Sequence, residues 1–413
     1  MQLTALTDRS LLKIWLLLPV VLLLIQISPI AYLSPDAISY LSMAQSLSQT
    51  GVMLNQGSPH LTYAVGWPTL LSVVYRLPVD PILGASLLNV LLGMIYLAGV
   101  WTWCRRVCPR IAVWITCLAV CNATVTHLFR RPLSEPLFMC LLTWGTYALQ
   151  MLTERLRTRL DWTWLGSCCL LLTMLSITRQ VGVFLVAGWG LQLGFLVWQR
   201  QIPWKQSLLA LTCVSLCSGG AVLGFILYDQ HTKAVVNAGS NWDMLVGKSH
   251  FAADYQYEGL ADHTLEGLRV RIYEVGRLVI PGMFGCYAGT GDWLNINTFI
   301  YVPLTLLCCV GWWRFIRRHA DAFSLMAPIY VAFYIYWPSN QDGRFFTPLL
   351  PLLYVCLWKA CTLFPSSRHR SVFPVLIIAH TVAALVLWLV LDYRDNILLQ
   401  DEWNKLPSVR WTG

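Results

Sequence analysis

Mostly apolar runs of about 18 to 22 residues follow one another along nearly the whole chain, each long enough as a helix to cross roughly 30 Å of hydrocarbon. Eleven such runs are read, at approximately 11-33, 81-103, 110-128, 134-152, 162-178, 181-199, 207-228, 296-313, 323-337, 345-363 and 372-391, with blurred edges near 66-77 and 178-182. The pattern predicts an all-α polytopic membrane protein: a single transmembrane domain over 1-391 and a short polar tail over 392-413. Two segments, 34-80 and 229-295, break the alternation of runs and short loops, and both fall on the same outer side. Loops of that length are uncommon unless they carry function, and these keep helix-like and aromatic content, so both are expected to be ordered. No internal repeat or low-complexity tract appears.

The first outer segment opens with a helix start. Ser34 is placed as N-cap, Pro35 at the first helical position and Asp36 in the first turn, where an acid complements the helix dipole. The helix is predicted to run to about Gln49, before Gly51. Ala37, Tyr40, Leu41, Ala44 and Leu47 share one face, and Ser39, Ser42, Ser46 and Gln49 the other, as in a helix lying in the membrane interface. Gly66-Trp67-Pro68 then breaks the chain before it returns to the membrane. In the second segment, "DHTLEGLRVRIYEVGRLVI" has the pattern of an amphipathic surface helix.

Composition agrees with the pattern: 57% hydrophobic and 12% charged residues exclude an ordinary soluble domain. The first run exceeds the usual length of a signal-peptide core and no small-x-small cleavage site follows it, so it is read as retained. With Arg9 and Lys13 cytoplasmic, the clusters Arg105/Arg106/Arg110, Arg155/Arg157/Arg159, Arg314/Arg317/Arg318 and Arg368/Arg370 all fall on the cytoplasmic side, while Asp36, Glu135, Asp292 and Asp342 fall outside. The net charge of +9 therefore reads as topology, with no nucleic-acid partner. The expected setting is a bacterial inner membrane, with the active face toward the periplasm or exterior. The 14 cysteines lie almost entirely inside the runs, with Cys286 alone in an outer loop and no C-x-x-C. They read as helix-packing residues, not as a disulfide or zinc framework.

A few charged residues depart from the topology. Arg130 and Arg131 before "PLSEPLF", Arg179 in "SITRQVGVF" and Arg344 opening "RFFTPLLPLLY" all lie on the outer side, against the positive-inside bias. Singly, each is explained by snorkelling or by pairing with Glu135 or Asp342, and Asp36 by helix capping. Together they suggest a shared anionic ligand, and a phosphate fits the bidentate geometry of arginine.

In order and spacing, P-D-x-x-x-Y-L-x-x-A-x-x-L-x-x-x-G (Pro35 to Gly51), G-W-P (Gly66 to Pro68), R-P-x-S-E-P-L-F (Arg131 to Phe138), T-R-x-x-G (Thr178 to Gly182) and G-R-F-x-x-P-L-L-P (Gly343 to Pro351) resemble the C-type membrane glycosyltransferases. The nearest branch is that of the protein O-mannosyltransferases and lipid A aminoarabinose transferases. The resemblance implies a polyprenyl-phosphate-linked sugar as donor and an inverting transfer to a hydroxyl of a lipid, glycan or protein. It implies that Asp36 is the general base and that Arg344 contacts the donor phosphate, with Arg179 and Arg131 as further phosphate candidates and Tyr40 and Glu135 as candidates for substrate contact. Many relatives have Asp-Glu where this chain has Asp36-Ala37, and many carry a large soluble C-terminal domain. Glu135 reaches the site only if the first and fourth runs pack together; its ordinary role is to pair with a neighbouring arginine.

His60, His250 and His263 match no metal-ligand spacing, so no metal site is assigned and a divalent metal is left open. Trp242, Phe251, Tyr255 and Tyr257 have the chemistry to stack on a sugar, although interfacial anchoring is the commoner use of such residues. The competing class is a multi-span transporter or lipid flippase, which would place charges near mid-membrane on broken helices, often with repeat symmetry. A non-catalytic scaffold and a polysaccharide polymerase or ligase are further alternatives.

Overall fold

The computed structural model of the chain describes residues 15–28, 34–59, 63–236, 260–280, 296–336, 343–363 and 369–403. The described residues are overwhelmingly helical, with a single isolated bridge between Asn55 and Ser58. In chain order the helices are α1 (Leu17–Leu24), α2 (Pro35–Thr50), α3 (Gly66–Val74), α4 (Pro81–Val107), α5 (Ala112–Cys121), α6 (Ala123–Arg130), α7 (Glu135–Leu156) and α8 (Trp162–Thr178). They continue with α9 (Val183–Trp198), α10 (Trp204–Val236), α11 (Leu260–Val279), α12 (Ile296–Ile316), α13 (Ala322–Ile335), α14 (Leu350–Cys361) and α15 (His369–Trp403). The chain is a multi-pass integral membrane protein. Among the described residues five helices are long and apolar enough to cross a membrane, or six if the bent pair α5 and α6 forms one span.

That bent pair corrects the continuous run expected over 110-128: the two helices meet at 53° at Asn122. Asn122 leaves helical geometry at ψ 127°, and its side-chain oxygen accepts from the backbone N–H groups of Thr124 and Val125 at 3.0 and 3.3 Å, capping a new helix. Its amide donates to the carbonyl of Leu278 at 2.8 Å and to the Tyr354 hydroxyl at 2.9 Å. A side chain that caps the new helix with its oxygen and finds acceptors on two other helices for its amide makes the break stable inside the bundle. Two further boundaries move. α10 continues past 228 into the second outer segment, and α15 continues to Trp403, through much of the expected polar tail. No Gly or Pro lies between Val375 and Leu406 to stop it.

The main packing partners are α12 with α14, α9 with α13, α8 with α10, and α7 with both α4 and α8. Contacts at the helix ends define two faces. At one, Arg106 of α4 pairs with Glu154 of α7 at 2.8 Å, and Trp103 donates to Asp321, the N-cap of α13, at 2.8 Å. The short basic connections gather there. Glu135, at the other end of α7, and the three charged residues joined to it occupy the opposite face.

Candidate active site

α2 forms as its sequence predicts. Ser34 accepts from the backbone N–H of Ala37 at 3.3 Å, Pro35 occupies the first turn, and Gly51 ends the helix in the left-handed region at φ 74°. Ala37, Tyr40, Leu41 and Ala44 are buried; Ser39, expected on the polar face, is buried too, because α3 packs over α2. Asp36 projects from the first turn with 21% of its side chain exposed.

The G-W-P segment fastens this helix to two others. The indole N–H of Trp67 donates to the carbonyl of Pro132 at 3.1 Å, tying the start of α3 to the turn that delivers Glu135. Gly66 lies flat against Thr178, where a β-carbon would come within 2.6 Å of the threonine hydroxyl and 2.9 Å of its backbone. Only glycine permits that approach, which sets the position of Arg179 one residue on.

At this junction four charges from four distant segments meet. Asp36 pairs with Arg344 at 2.8 Å, Arg344 also donates through Nε to Glu135, and Glu135 pairs with Arg179 at 2.6 Å. Two carboxylates and two guanidiniums alternate in a row whose formal charge is zero. Its two halves differ in access: Glu135 is fully buried and Arg179 is 14% exposed, whereas Arg344 and Asp36 are 19% and 21% exposed. The Arg179 guanidinium is held between the rings of Phe345 and Phe138, 5.1 and 5.7 Å from their centroids. Arg179 and Glu135 form a fixed base, while Arg344 and Asp36 form the end that meets the surroundings.

Two tyrosines complete the row. Tyr63 donates to Asp36 Oδ1 at 2.9 Å, and Tyr40 donates to the Ser134 hydroxyl at 3.1 Å, their rings 5.1 Å apart. Burial first and the Asp36 charge second raise the Tyr63 phenol well above its ordinary range. Burial, then the charge of Glu135, pushes Tyr40 up to about 12. Both hydroxyls are therefore protonated at neutral pH and act as donors.

Arg344 is aimed by the turn before it. Gly343 adopts φ 75°, a conformation that other residues rarely take, and its N–H donates to Glu274 Oε1 on α11 at 3.2 Å. Glu274 also pairs with Arg271 at 2.6 Å, and Arg271 donates to the carbonyl of Tyr334 at 2.8 Å. The helix expected to lie on the membrane thus turns its charged Arg271 and Glu274 inward, where both are buried. Glu274→Ala is expected to be destabilising, because it removes a buried carboxylate that pairs with Arg271. It also unfastens Gly343, so thermal unfolding at a lower temperature should be accompanied by weaker donor affinity in the folded fraction.

Glu135 does not pair with its neighbour in sequence, contrary to the ordinary expectation for such a glutamate. Arg131 is directed elsewhere: its carbonyl accepts from Asn89 at 2.6 Å, and its side chain pairs with neither Asp36 nor Glu135. The start of α7 instead points Glu135 into the bundle, toward Arg179 and Arg344. Tyr63, Arg271 and Glu274 were missed from the sequence. Among the described residues no three His, Cys, Asp or Glu side chains are grouped to hold a metal ion. His60, His250, Trp242, Phe251, Tyr255, Tyr257, Cys286, Asp292 and Asp342 lie outside the described residues, as does the side chain of His263.

The architecture matches solved structures. ArnT from Cupriavidus metallidurans bound to undecaprenyl phosphate superposes with a TM-score of 0.57 at 12% identity, over 88% of this chain and 62% of that one. The chain has the fold of the C-type membrane glycosyltransferases. The oligosaccharyltransferase AglB from Archaeoglobus fulgidus, in complex with an inhibitory peptide and a dolichol-phosphate, gives a TM-score of 0.54 at 11% identity, over 92% of this chain and 56% of AglB. The chain thus spans about three fifths of the length of these C-type structures. No protein-family model and no curated protein matches its sequence.

Proposed function

We propose that the protein is an inverting glycosyltransferase that moves a sugar from a polyprenyl-phosphate donor to a hydroxyl acceptor on the extracytoplasmic face of the membrane. The observation that carries this reading is the Asp36–Arg344–Glu135–Arg179 row, which sets a partly open carboxylate beside a partly open guanidinium. The fold shared with proteins solved with undecaprenyl phosphate and dolichol-phosphate supports the donor class.

The chemistry follows from charge. A polyprenyl-phosphate sugar is a phosphodiester carrying one negative charge. As the acceptor oxygen bonds to the anomeric carbon, the bond from that carbon to the phosphate oxygen breaks and the released phosphate gains a second charge. The acceptor proton passes to Asp36, which loses its own charge at the same step. Arg344 sits between the two, so its attraction to the carboxylate weakens as its attraction to the phosphate strengthens. An electrostatic device of this kind stabilises charge where it develops, with no large movement of the protein. Glu135 and Arg179 hold Arg344 from behind, and Tyr63 orients the carboxylate of Asp36.

The test is sugar transfer in membranes from a panel of radiolabelled polyprenyl-phosphate monosaccharides, with unlabelled undecaprenyl phosphate as competitor. The wild type is expected to use at least one donor and to be inhibited by the competitor. Arg344→Lys, which keeps the charge but loses the fork, should raise the donor KM roughly tenfold, the worth of one charge-assisted hydrogen bond. Failure of every donor, together with failure of the lipid phosphate to bind, would overturn the reading.

A further inference from the structure

At the face opposite the charged row, the C-terminal ends of α12 and α14 and the residues just after them border an open cavity of about 510 Å³ lined by Arg314, Arg317, Arg318, Trp358, Lys359 and Thr362. The two helices cross closely beside it: Gly311 rests directly on the carbonyl of Cys356, where any β-carbon would collide with the backbone. Arg314 and Lys359 each follow that contact by three residues, about one helical turn, and both line the cavity. Trp358, packed on Phe373 with ring centroids 5.5 Å apart, supplies an apolar wall.

Positive-inside bias accounts for arginines at this face, but not for their arrangement. Elsewhere on the face Arg106 is paired with Glu154 at 2.8 Å and lies over the ring of Tyr147. Among the described residues none of Arg314, Arg317, Arg318 and Lys359 forms an ion pair with a carboxylate. Arg317 is steadied over the ring of Trp313, 5.2 Å from its centroid. Four cations converging on a cavity of small-ligand size repel one another until an anion enters.

We propose that this cavity binds the phosphate of an anionic phospholipid head group in the leaflet opposite the Asp36–Arg344 row. The phosphate lies among Arg314, Arg318 and Lys359, and the glycerol region lies against Trp358. Basic pockets between membrane helices bind such head groups, each lysine or arginine near the surface contributing about fivefold in affinity. The site is independent of the sugar-transfer reading.

The experiment uses the full chain in nanodiscs of phosphatidylcholine doped with phosphatidylglycerol, with retained lipid counted by native mass spectrometry. The triple variant Arg314→Gln, Arg318→Gln, Lys359→Gln is expected to bind phosphatidylglycerol on the order of a hundredfold more weakly than wild type. The control pair Arg155→Gln, Arg157→Gln, which removes two basic residues at the same face, should retain it. Thr362→Trp fills the cavity without changing charge and should also expel the lipid. Unfolding in phosphatidylcholine alone checks that each variant is folded. Equal retention by wild type and triple variant, or equal loss in the control pair, overturns the proposal. Stabilisation by inorganic phosphate in detergent, lost in the triple variant but without phosphatidylglycerol retention, would assign the site to a soluble phosphate and overturn the lipid assignment.

Discussion

Asp36→Asn is expected to lower the rate of sugar transfer by about 10²- to 10⁴-fold, the usual contribution of a positioned general base, while leaving donor KM nearly unchanged. The amide has the same shape as the carboxylate and still accepts a hydrogen bond from Tyr63. Arg344 keeps Glu135, so the row remains assembled. What the variant lacks is a group that takes the acceptor proton. Single-turnover transfer from a radiolabelled donor, measured beside thermal unfolding, checks this. If Asp36 served only as an acid in the first turn of α2, the loss would be about 0.3–1 kcal/mol of stability with transfer intact. The two outcomes are far apart. A rate defect confined to the chemical step would place proton removal at the tip of this helix, whereas a rise in donor KM alone would give Asp36 the role of holding Arg344.

The local half of this site was legible in the sequence because it is written in adjacent residues. Ser34, Pro35 and Asp36 encode a helix start, and a cap needs no information from elsewhere in the chain. The helical runs were legible for a similar reason, since an apolar stretch of sufficient length has few alternatives in a membrane. Glu135 was named as a carboxylate for the outer arginines, and it does hold Arg179 and Arg344, but which arginines it would hold and the pairing of Arg344 with Asp36 were not legible. Glu135 lies 44 residues from Arg179 and 209 from Arg344, and Arg344 lies 308 from Asp36, so no spacing rule connects them. Arg131 and Arg179 looked alike as arginines near the outer boundary. They differ because Gly66 packs flush against Thr178 and aims Arg179 inward, whereas Arg131 ends α6 with its backbone tied to Asn89. The order of short motifs suggested that these segments meet, and Trp67 on Pro132 is one contact by which they do. Asn122 was read as part of a continuous run, because a break is visible only when both its caps are recognised as caps.

Glu135→Ala is expected to be the most destabilising change in the row. It removes a fully buried carboxylate between two guanidiniums, and stranding a buried charge costs about 3–5 kcal/mol. Arg179 would remain between Phe138 and Phe345 without its carboxylate, and Arg344 would keep Asp36 as its carboxylate in the row. A lower unfolding temperature by itself does not separate a structural pair from a catalytic one, so the informative comparison is the double variant Glu135→Met, Arg179→Met. Replacing a buried ion pair by apolar residues of similar size is often neutral for stability, so the fold should largely recover. Transfer should not. Without Glu135 behind it, Arg344 has Asp36 as its one remaining carboxylate in the row, so the existing pair tightens, engages the base and withdraws the cation from the donor phosphate. Recovery of both stability and transfer in the double variant would reduce Glu135 and Arg179 to packing. Recovery of stability alone would make the alternation of charge along the row, and not merely its burial, the feature that keeps Asp36 available to accept a proton.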